Sequence, residues 1–211
     1  NVPASEMHDC AEDVPAVVHP DVTDNCSQVV VDFSEEIQPG GCEDNFIVKR
    51  VWVATDLCGN QAMTFQIITI DDNEAPVLAN LPPATVMVDC SEDVPAVAAV
   101  TATDNCDEPL DLDFTEVEIP GTCSNQYQVK RTWTAEDDCG NFTSFVQLIT
   151  VSDTEAPVLA NLPPAVVDVE CSEDVPAVAA VTASDNCGEP LDFDFYEVEV
   201  PGTCPNQYSL T

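Results

Sequence analysis

The chain predicts an all-β fold, a row of tandem two-sheet sandwich repeats with cysteines placed at the same points in each. Three observations carry this. One block of sequence recurs at a fixed offset, each block breaks into strand-length runs between turn signals, and the cysteines travel with the block. The segment Ala156 to Pro164 copies Ala75 to Pro83, an offset of 81. Cys90, Cys106 and Cys123 recur as Cys171, Cys187 and Cys204, and Cys42 and Cys58 recur as Cys123 and Cys139. Cys10 and Cys26 precede Cys90 and Cys106 by 80 because one residue is missing after Cys26.

Three copies follow from this spacing. The first covers 1–74 without an opening linker, the second is complete at 75–155, and the third runs 156–211 and stops partway. A repeat cut in mid-unit reads as a piece of a longer array, with the third copy completed either by following residues or by a neighbouring subunit. The partner expected for Cys187 then lies beyond Thr211.

Within the second copy, Thr85–Val88, Leu110–Phe114, Tyr127–Ala135 and Val146–Val151 alternate or are β-branched. Pro82-Pro83, Pro120-Gly121 and Cys139-Gly140-Asn141 supply turn chemistry between them. Val94 to Ala102 is alanine-rich, but Pro95 and the flanking turn signals favour a strand there. Six or seven strands in roughly 80 residues fit an immunoglobulin-like sandwich. Trp52 and Trp133 occupy equivalent strands and read as core residues. All four basic residues, Lys49, Arg50, Lys130 and Arg131, lie on those strands. The two arginines are expected to pair with strand carboxylates such as Asp32 and Asp113.

Composition limits the function classes. The chain holds 40 acidic residues against 4 basic ones, a formal net charge of -36, yet 45% of it is hydrophobic. A disordered acidic tail is poorer in apolar residues, so this chain folds. The charge argues against nucleic acid and anionic membranes and favours cations. No run of about 18 apolar residues is present, so no membrane insertion is expected. Eleven cysteines without CxxC spacing read as disulfides in an oxidising compartment, so the expected location is extracellular or at the cell surface.

Chain direction gives a pairing. A ten-residue strand spans roughly 33 Å, so successive cysteines alternate between the two ends of a copy. Bonded cysteines need Cα atoms within about 7 Å. Four cysteines allow three connectivities, and this geometry selects one: Cys90 pairs with Cys123 and Cys106 with Cys139, and by the same logic Cys10 pairs with Cys42, Cys26 with Cys58 and Cys171 with Cys204.

The same reasoning locates candidate metal ligands. The linkers Asp72-Asn73-Glu74-Ala75-Pro76 and Asp153-Thr154-Glu155-Ala156-Pro157 share Asp-x-Glu-Ala-Pro. Each enters the next copy at the end that carries its second and fourth cysteines. Asp72 and Glu74 should therefore meet Asp104, Asn105, Asp137 and Asp138. Asp153 and Glu155 should meet Asp185 and Asn186. The first copy has the same end in Asp24, Asn25 and Asp56. Gathered carboxylates repel unless a cation lies among them, and calcium suits carboxylate, amide and backbone oxygens. The competing reading is solvated loop acids that keep the surface soluble. The acids Glu12-Asp13, Glu92-Asp93 and Glu173-Asp174 follow the first cysteine of each copy and are secondary candidates.

Catalysis has little support. The histidines, His8 and His19, both lie in the first copy, and no GxSxG, HExxH, Walker or GxGxxG pattern occurs. Asn25-Cys26-Ser27 and Asn141-Phe142-Thr143 match the N-glycosylation triplet.

The run Asp-x-Glu-Ala-Pro, then Ala102-Thr-Asp-Asn-Cys106, then Tyr127-x-Val-x-Arg-x-Trp-x-Ala-x-Asp-x-Cys-Gly-Asn141 resembles the hyalin-repeat (HYR-like) class, found in tandem arrays of secreted and surface proteins of Bacteroidetes-type bacteria. The resemblance implies immunoglobulin-like modules used as spacers, in adhesion or in extracellular fibres. The acidic linkers also resemble the calcium-rigidified joints of cadherins, with Asp72, Glu74 and Pro76 (and Asp153, Glu155 and Pro157) as the matching positions. The expected function is thus a non-enzymatic, calcium-stiffened extracellular rod or filament, self-associating or continuing into further repeats. The alternatives are an adhesin for glycans or another cell, which would use the departures from repeat symmetry at Glu6, His8, His19 and Val29–Val31, or an accessory segment of a large secreted enzyme.

Overall fold

A computed structural model describes residues 2–25, 28–106, 110–188, 191–203 and 207–210. The fold is all-β. Its strands are β1 (Glu6–His8), β2 (Val29–Pro39), β3 (Asn45–Asp56), β4 (Gln61–Asp71), β5 (Val77–Ala79), β6 (Thr85–Val88) and β7 (Thr101–Thr103). They continue with β8 (Leu112–Pro120), β9 (Gln126–Glu136), β10 (Phe142–Ser152), β11 (Val158–Ala160), β12 (Thr182–Ser184), β13 (Glu199–Pro201) and β14 (Tyr208–Leu210). One-turn 3-10 helices follow the first cysteine of each copy, at Ala11–Asp13, Ser91–Asp93 and Ser172–Asp174. Two four-stranded sheets dominate, in the orders β1-β4-β3-β2 and β6-β10-β9-β8. β1 runs parallel to β4, while β2, β3 and β4 pair antiparallel.

The chain forms two compact units. One holds residues 1–85, 96–117 and 130–148, the other 86–95, 118–129 and 149–211. The first unit therefore contains the whole first copy and the end of the second copy that carries Cys106 and Cys139. Its core follows from alternation along β3 and β4. Val48, Ile68 and Ile70 are buried together, with Val14 and Phe46 packed against them. Trp52 and Trp133 are each 2% exposed. The Phe33 and Trp52 rings are 5.4 Å apart, as the Phe114 and Trp133 rings are at 5.2 Å. The Trp52 indole donates to His19 Nδ1 at 3.2 Å, so this histidine satisfies a core tryptophan. In the second unit Val129, Ile149 and Val151 are buried, and short antiparallel pairs join β11 to β12 and β13 to β14.

The segment expected as a strand from Val94 to Ala102 is irregular through Val100, and only Thr101–Thr103 pairs, with β5. Pro95 cannot donate to a ladder. Instead the segment is held from the side: Arg131 Nη1 donates to the Ala96 carbonyl at 3.5 Å, and Arg50 Nη2 to the Pro15 carbonyl at 2.8 Å in the equivalent stretch.

The arginines pair with Glu35 and Glu116, both at 2.7 Å, not with Asp32 or Asp113. Register decides this. Glu35 lies directly opposite Arg50 in the β2–β3 ladder, while Asp32 lies opposite Val53.

The disulfides differ from the expected pairing. Cys10 bonds Cys106, Cys42 bonds Cys139 and Cys90 bonds Cys187, with Cα separations of 5.1, 5.0 and 5.2 Å. The bonds Cys10–Cys42, Cys90–Cys123 and Cys106–Cys139 are therefore not formed. Strand counting places a cysteine at an end of its copy, but it does not say whether that end closes on itself or on the next copy. Every bond among the described residues joins one copy to the next: first cysteine to second, and third to fourth. Cys58, Cys123 and Cys171 are exposed free thiols. Cys26 and Cys204, the expected partners of Cys58 and Cys171, lie outside the described residues.

Candidate metal centre

The site is built where the linker after β4 reaches the Cys106 loop and the β9–β10 hairpin, all within the first unit. The Asp72 amide donates to the Asp44 carbonyl at 3.0 Å, which fixes the chain as it leaves β4. Pro76, further along, is fully buried and stiffens the exit. The result is that Asp72, an acid at the end of a strand, is only 4% exposed.

The opposite wall is a tight turn. Asp137 Oδ1 accepts the amides of Cys139 at 2.9 Å and Asn141 at 2.8 Å, and its Oδ2 accepts the Asn141 side-chain amide at 2.9 Å. Gly140 has φ +88°, a left-handed conformation that a residue with a Cβ resists. The Asn141 amide also donates to the Asp72 carbonyl at 3.3 Å, tying the hairpin to the linker. Above it, Asp104 Oδ1 accepts the Cys106 amide at 3.0 Å.

These constraints bring two carboxylates together. One oxygen of Asp72, one of Asp104 and the Cys106 sulfur all lie within 4.8 Å of one another. Cys106 is bonded to Cys10, so its sulfur has no thiolate charge to offer a cation. The pair of carboxylates is what remains. Asp72 Oδ1 accepts the Glu74 amide at 3.1 Å, whereas its Oδ2 is buried without a hydrogen-bond partner among the described residues. A buried, unsatisfied carboxylate oxygen is costly. Burial raises the Asp72 pKa above its ordinary 3.8, opposed by the Glu74 amide, and the charges of Asp104, Asp137 and Asp44 raise it further.

The second unit repeats the arrangement. Asp153, Asp185 and the Cys187 sulfur offer atoms within 4.8 Å of one another, and Cys187 is again in a disulfide. Asp153 Oδ1 accepts the Glu155 amide at 3.0 Å, and the Asp153 amide donates to the Asn125 carbonyl at 3.0 Å.

Several expected ligands are used otherwise. Glu74 and Glu155 are exposed and contribute their backbone amides. The Asn105 amide is directed at the disulfide, 3.5 Å from the Cys10 sulfur and 3.1 Å from that of Cys106, and Asn186 is 3.6 Å from the Cys90 sulfur. Asp138 is exposed. In the first copy Asp24 is exposed, and Asp56 holds the Cys58 turn, where the Asn60 side-chain hydrogen bond leads the causes that lower its pKa. Glu12, Asp13, Glu92, Asp93, Glu173 and Asp174 are all exposed on their 3-10 turns.

Sequence reading gave Asn141 turn chemistry and a glycosylation triplet but not its contact with the linker, and it missed Asp44. Asp44 is buried and accepts the Ala11 amide through its side chain. Both carry a signal: Asn141 follows Cys-Gly as Asn60 does, and Asp44 corresponds to Asn125, which accepts the Ser91 amide at 3.2 Å.

Comparison with known proteins adds one result on each side. No curated protein matches the chain. A family model described as an HYR-like domain with 4 cysteines matches residues 79–151. That stretch contains Cys90, Cys106, Cys123 and Cys139, two of which bond the first copy and one the third. Residues 79–151 are thus similar to an HYR-like domain with four cysteines.

Proposed function

We propose that this protein is a structural component of an extracellular rod or filament, in which consecutive copies are clamped by disulfides and stiffened by a divalent cation, calcium, at each joint. The HYR-like domain and the disulfides suggest an extracellular or surface protein. Among the described residues, no helix is long and apolar enough to cross a membrane.

The observation that carries the cation is the buried Asp72 oxygen without a partner beside the Asp104 carboxylate. Two full charges at that separation repel by about 3 kcal/mol at an effective dielectric near 20. A divalent ion reverses the sign. Asp72 and Asp104 would hold it at the first joint, and Asp153 and Asp185 at the second, with water or backbone oxygens completing a calcium shell. The bound ion supplies positive charge only; the chain's own residues orient the linker against the hairpin. The observation that carries the clamp is the pairing of first to second and third to fourth cysteines across copies. Neighbour-to-neighbour bonds of this kind make stability additive along an array.

The test is chelation of the full chain, followed by small-angle scattering and thermal unfolding. Loss of the cation should shorten the mean particle length and lower the melting temperature, with calcium restoring both. Magnesium in place of calcium tells which ion the shell prefers. Unchanged length and melting in strong chelator would remove the cation from the reading and leave the disulfide clamp.

A further inference from the structure

We propose that the Cys58 turn and the Cys123 loop are complementary half-joints, each built to form a disulfide with the opposite half on another four-cysteine module. This deepens the proposed function but rests on its disulfide clamp, not on the cation.

The Cys58 turn reproduces a turn that is bonded elsewhere in the chain. Asp56 Oδ1 accepts the amides of Cys58 and Asn60, both at 2.8 Å, and its Oδ2 accepts the Asn60 side chain at 2.7 Å. Asp137 makes the same three bonds around Cys139. The Gly59 φ of +86° matches the +88° of Gly140. The Asp56 carbonyl accepts the Gly59 amide at 3.1 Å, and the Asp137 carbonyl accepts that of Gly140 at 3.2 Å. Yet Cys139 is bonded to Cys42, and Cys58 is an exposed thiol.

The Cys123 loop is the counterpart. In the loop that presents bonded Cys42, the Cys42 carbonyl accepts the Asn45 amide at 3.3 Å. In the Cys123 loop, the Cys123 carbonyl accepts the Gln126 amide at 3.0 Å. Each loop begins at a glycine, Gly40 or Gly121, where a Cβ would collide with a facing backbone carbonyl, that of Asn45 or Gln126. Cys123 is nonetheless an exposed thiol. Cys171 follows the same rule. Its equivalents Cys10 and Cys90 are bonded to second-position cysteines, and Cys171 is free and exposed. Each of the three free cysteines among the described residues thus has at least one bonded twin in the same chain. In every case that twin's partner belongs to an adjacent copy.

The partner of Cys58 is therefore a third-position cysteine on a Gly-x-Cys loop, and the partner of Cys123 a fourth-position cysteine on an Asp-x-Cys-Gly-Asn turn. The oxidant is a low-molecular-weight disulfide such as oxidised glutathione. The Cys58 thiolate attacks it, forming a mixed disulfide and releasing one glutathione thiolate. The third-position thiolate of the partner then attacks the Cys58 sulfur and expels the second. Two protein thiols are oxidised, one glutathione disulfide is reduced to two thiols, and the two protons end on those thiols.

The experiment incubates the full 211-residue chain at high concentration in a glutathione redox buffer, blocks residual thiols and maps disulfide-linked peptides. The expected result is linkage of Cys58 of one chain to a third-position cysteine, Cys123 or Cys204, of another, with loss of those peptides in C58S. C58S should keep the native circular dichroism, since Cys58 is exposed. Cys58 found bonded to Cys26 in its own chain, bonded mainly to another Cys58, or only glutathionylated would overturn the proposal. If the cross-links form but chelation does not change particle length, the half-joints stand and the cation reading falls. The reverse pair of results sinks only the half-joints.

Discussion

Asn141 donates its side-chain amide both to the Asp137 carboxylate, four residues earlier, and to the Asp72 carbonyl, 69 residues earlier in the chain. One side chain thus closes a hairpin and fastens the incoming linker to it. Its twin Asn60 makes the turn bond to Asp56 at 2.7 Å in an exposed turn.

This gives an internal control. N141A should destabilise the chain by about 1–3 kcal/mol, because it leaves the largely buried Asp137 and the Asp72 carbonyl short of a donor. N60A, in an exposed turn, should cost distinctly less. Urea unfolding of the two variants measures the difference, and equal losses would mean that the linker bond contributes nothing. The same contacts predict that Asn141 resists glycosylation, which glycopeptide mass analysis of protein made in a glycosylating host would show.

Asp72 should behave oppositely with and without a cation. Its pKa is raised in the folded chain, mainly by burial. The sign follows from linkage: such a carboxyl contributes stability below the unfolded value near 3.8, and that contribution is lost as pH rises through the raised folded value. In chelator at neutral pH, D72N should therefore be more stable than the native chain, and its loss of stability on going from pH 4 upward should be shallower. In calcium the order should reverse, because the variant gives up an anionic ligand. Melting temperatures of both proteins across pH, with and without calcium, decide it. D72N less stable in both conditions would contradict the raised pKa and the repulsion it reflects.

The arginine pairs test burial of charge. Arg131 is 5% exposed at its side chain and Glu116 is 44% exposed. Removing Glu116 takes away the carboxylate that neutralises a buried guanidinium, while R131M removes the charge and keeps apolar bulk. E116A should cost about 1–3 kcal/mol, discounted from a fully buried pair because solvent reaches the glutamate. R131M should cost less than E116A. Chemical denaturation of both variants, repeated for E35A and R50M, checks the ranking.

The cross-copy bonds close long loops. Cys42 and Cys139 are 97 residues apart in sequence. The double variant C42S/C139S should lose about 2–5 kcal/mol, and proteolysis should then cut first in the linker around Asn73–Ala75, which is exposed. Linked-peptide maps of the native chain should recover Cys10–Cys106, Cys42–Cys139 and Cys90–Cys187. A map dominated by Cys10–Cys42 and Cys90–Cys123 would return each copy to self-contained stapling.

The sequence by itself determined what depends on local alternation and on repetition. Strands β6, β9 and β10 lie where β-branched and alternating runs lie, and Trp52 and Trp133 are buried because they share phase with Val48 and Val129. Counting strands also put Cys10 and Cys42 at one end of a copy and Asp72 at the end of the next copy that holds Asp104 and Asp137. Only the tertiary structure decided which end faces which. The cysteine pairing, the choice of Glu35 over Asp32 for Arg50 and the use of Asn141 all depend on register or on a surface contributed by another copy. Alternation repeats every two residues and is written in each strand alone, whereas a contact between two copies is fixed by the packing of segments 70 to 100 residues apart.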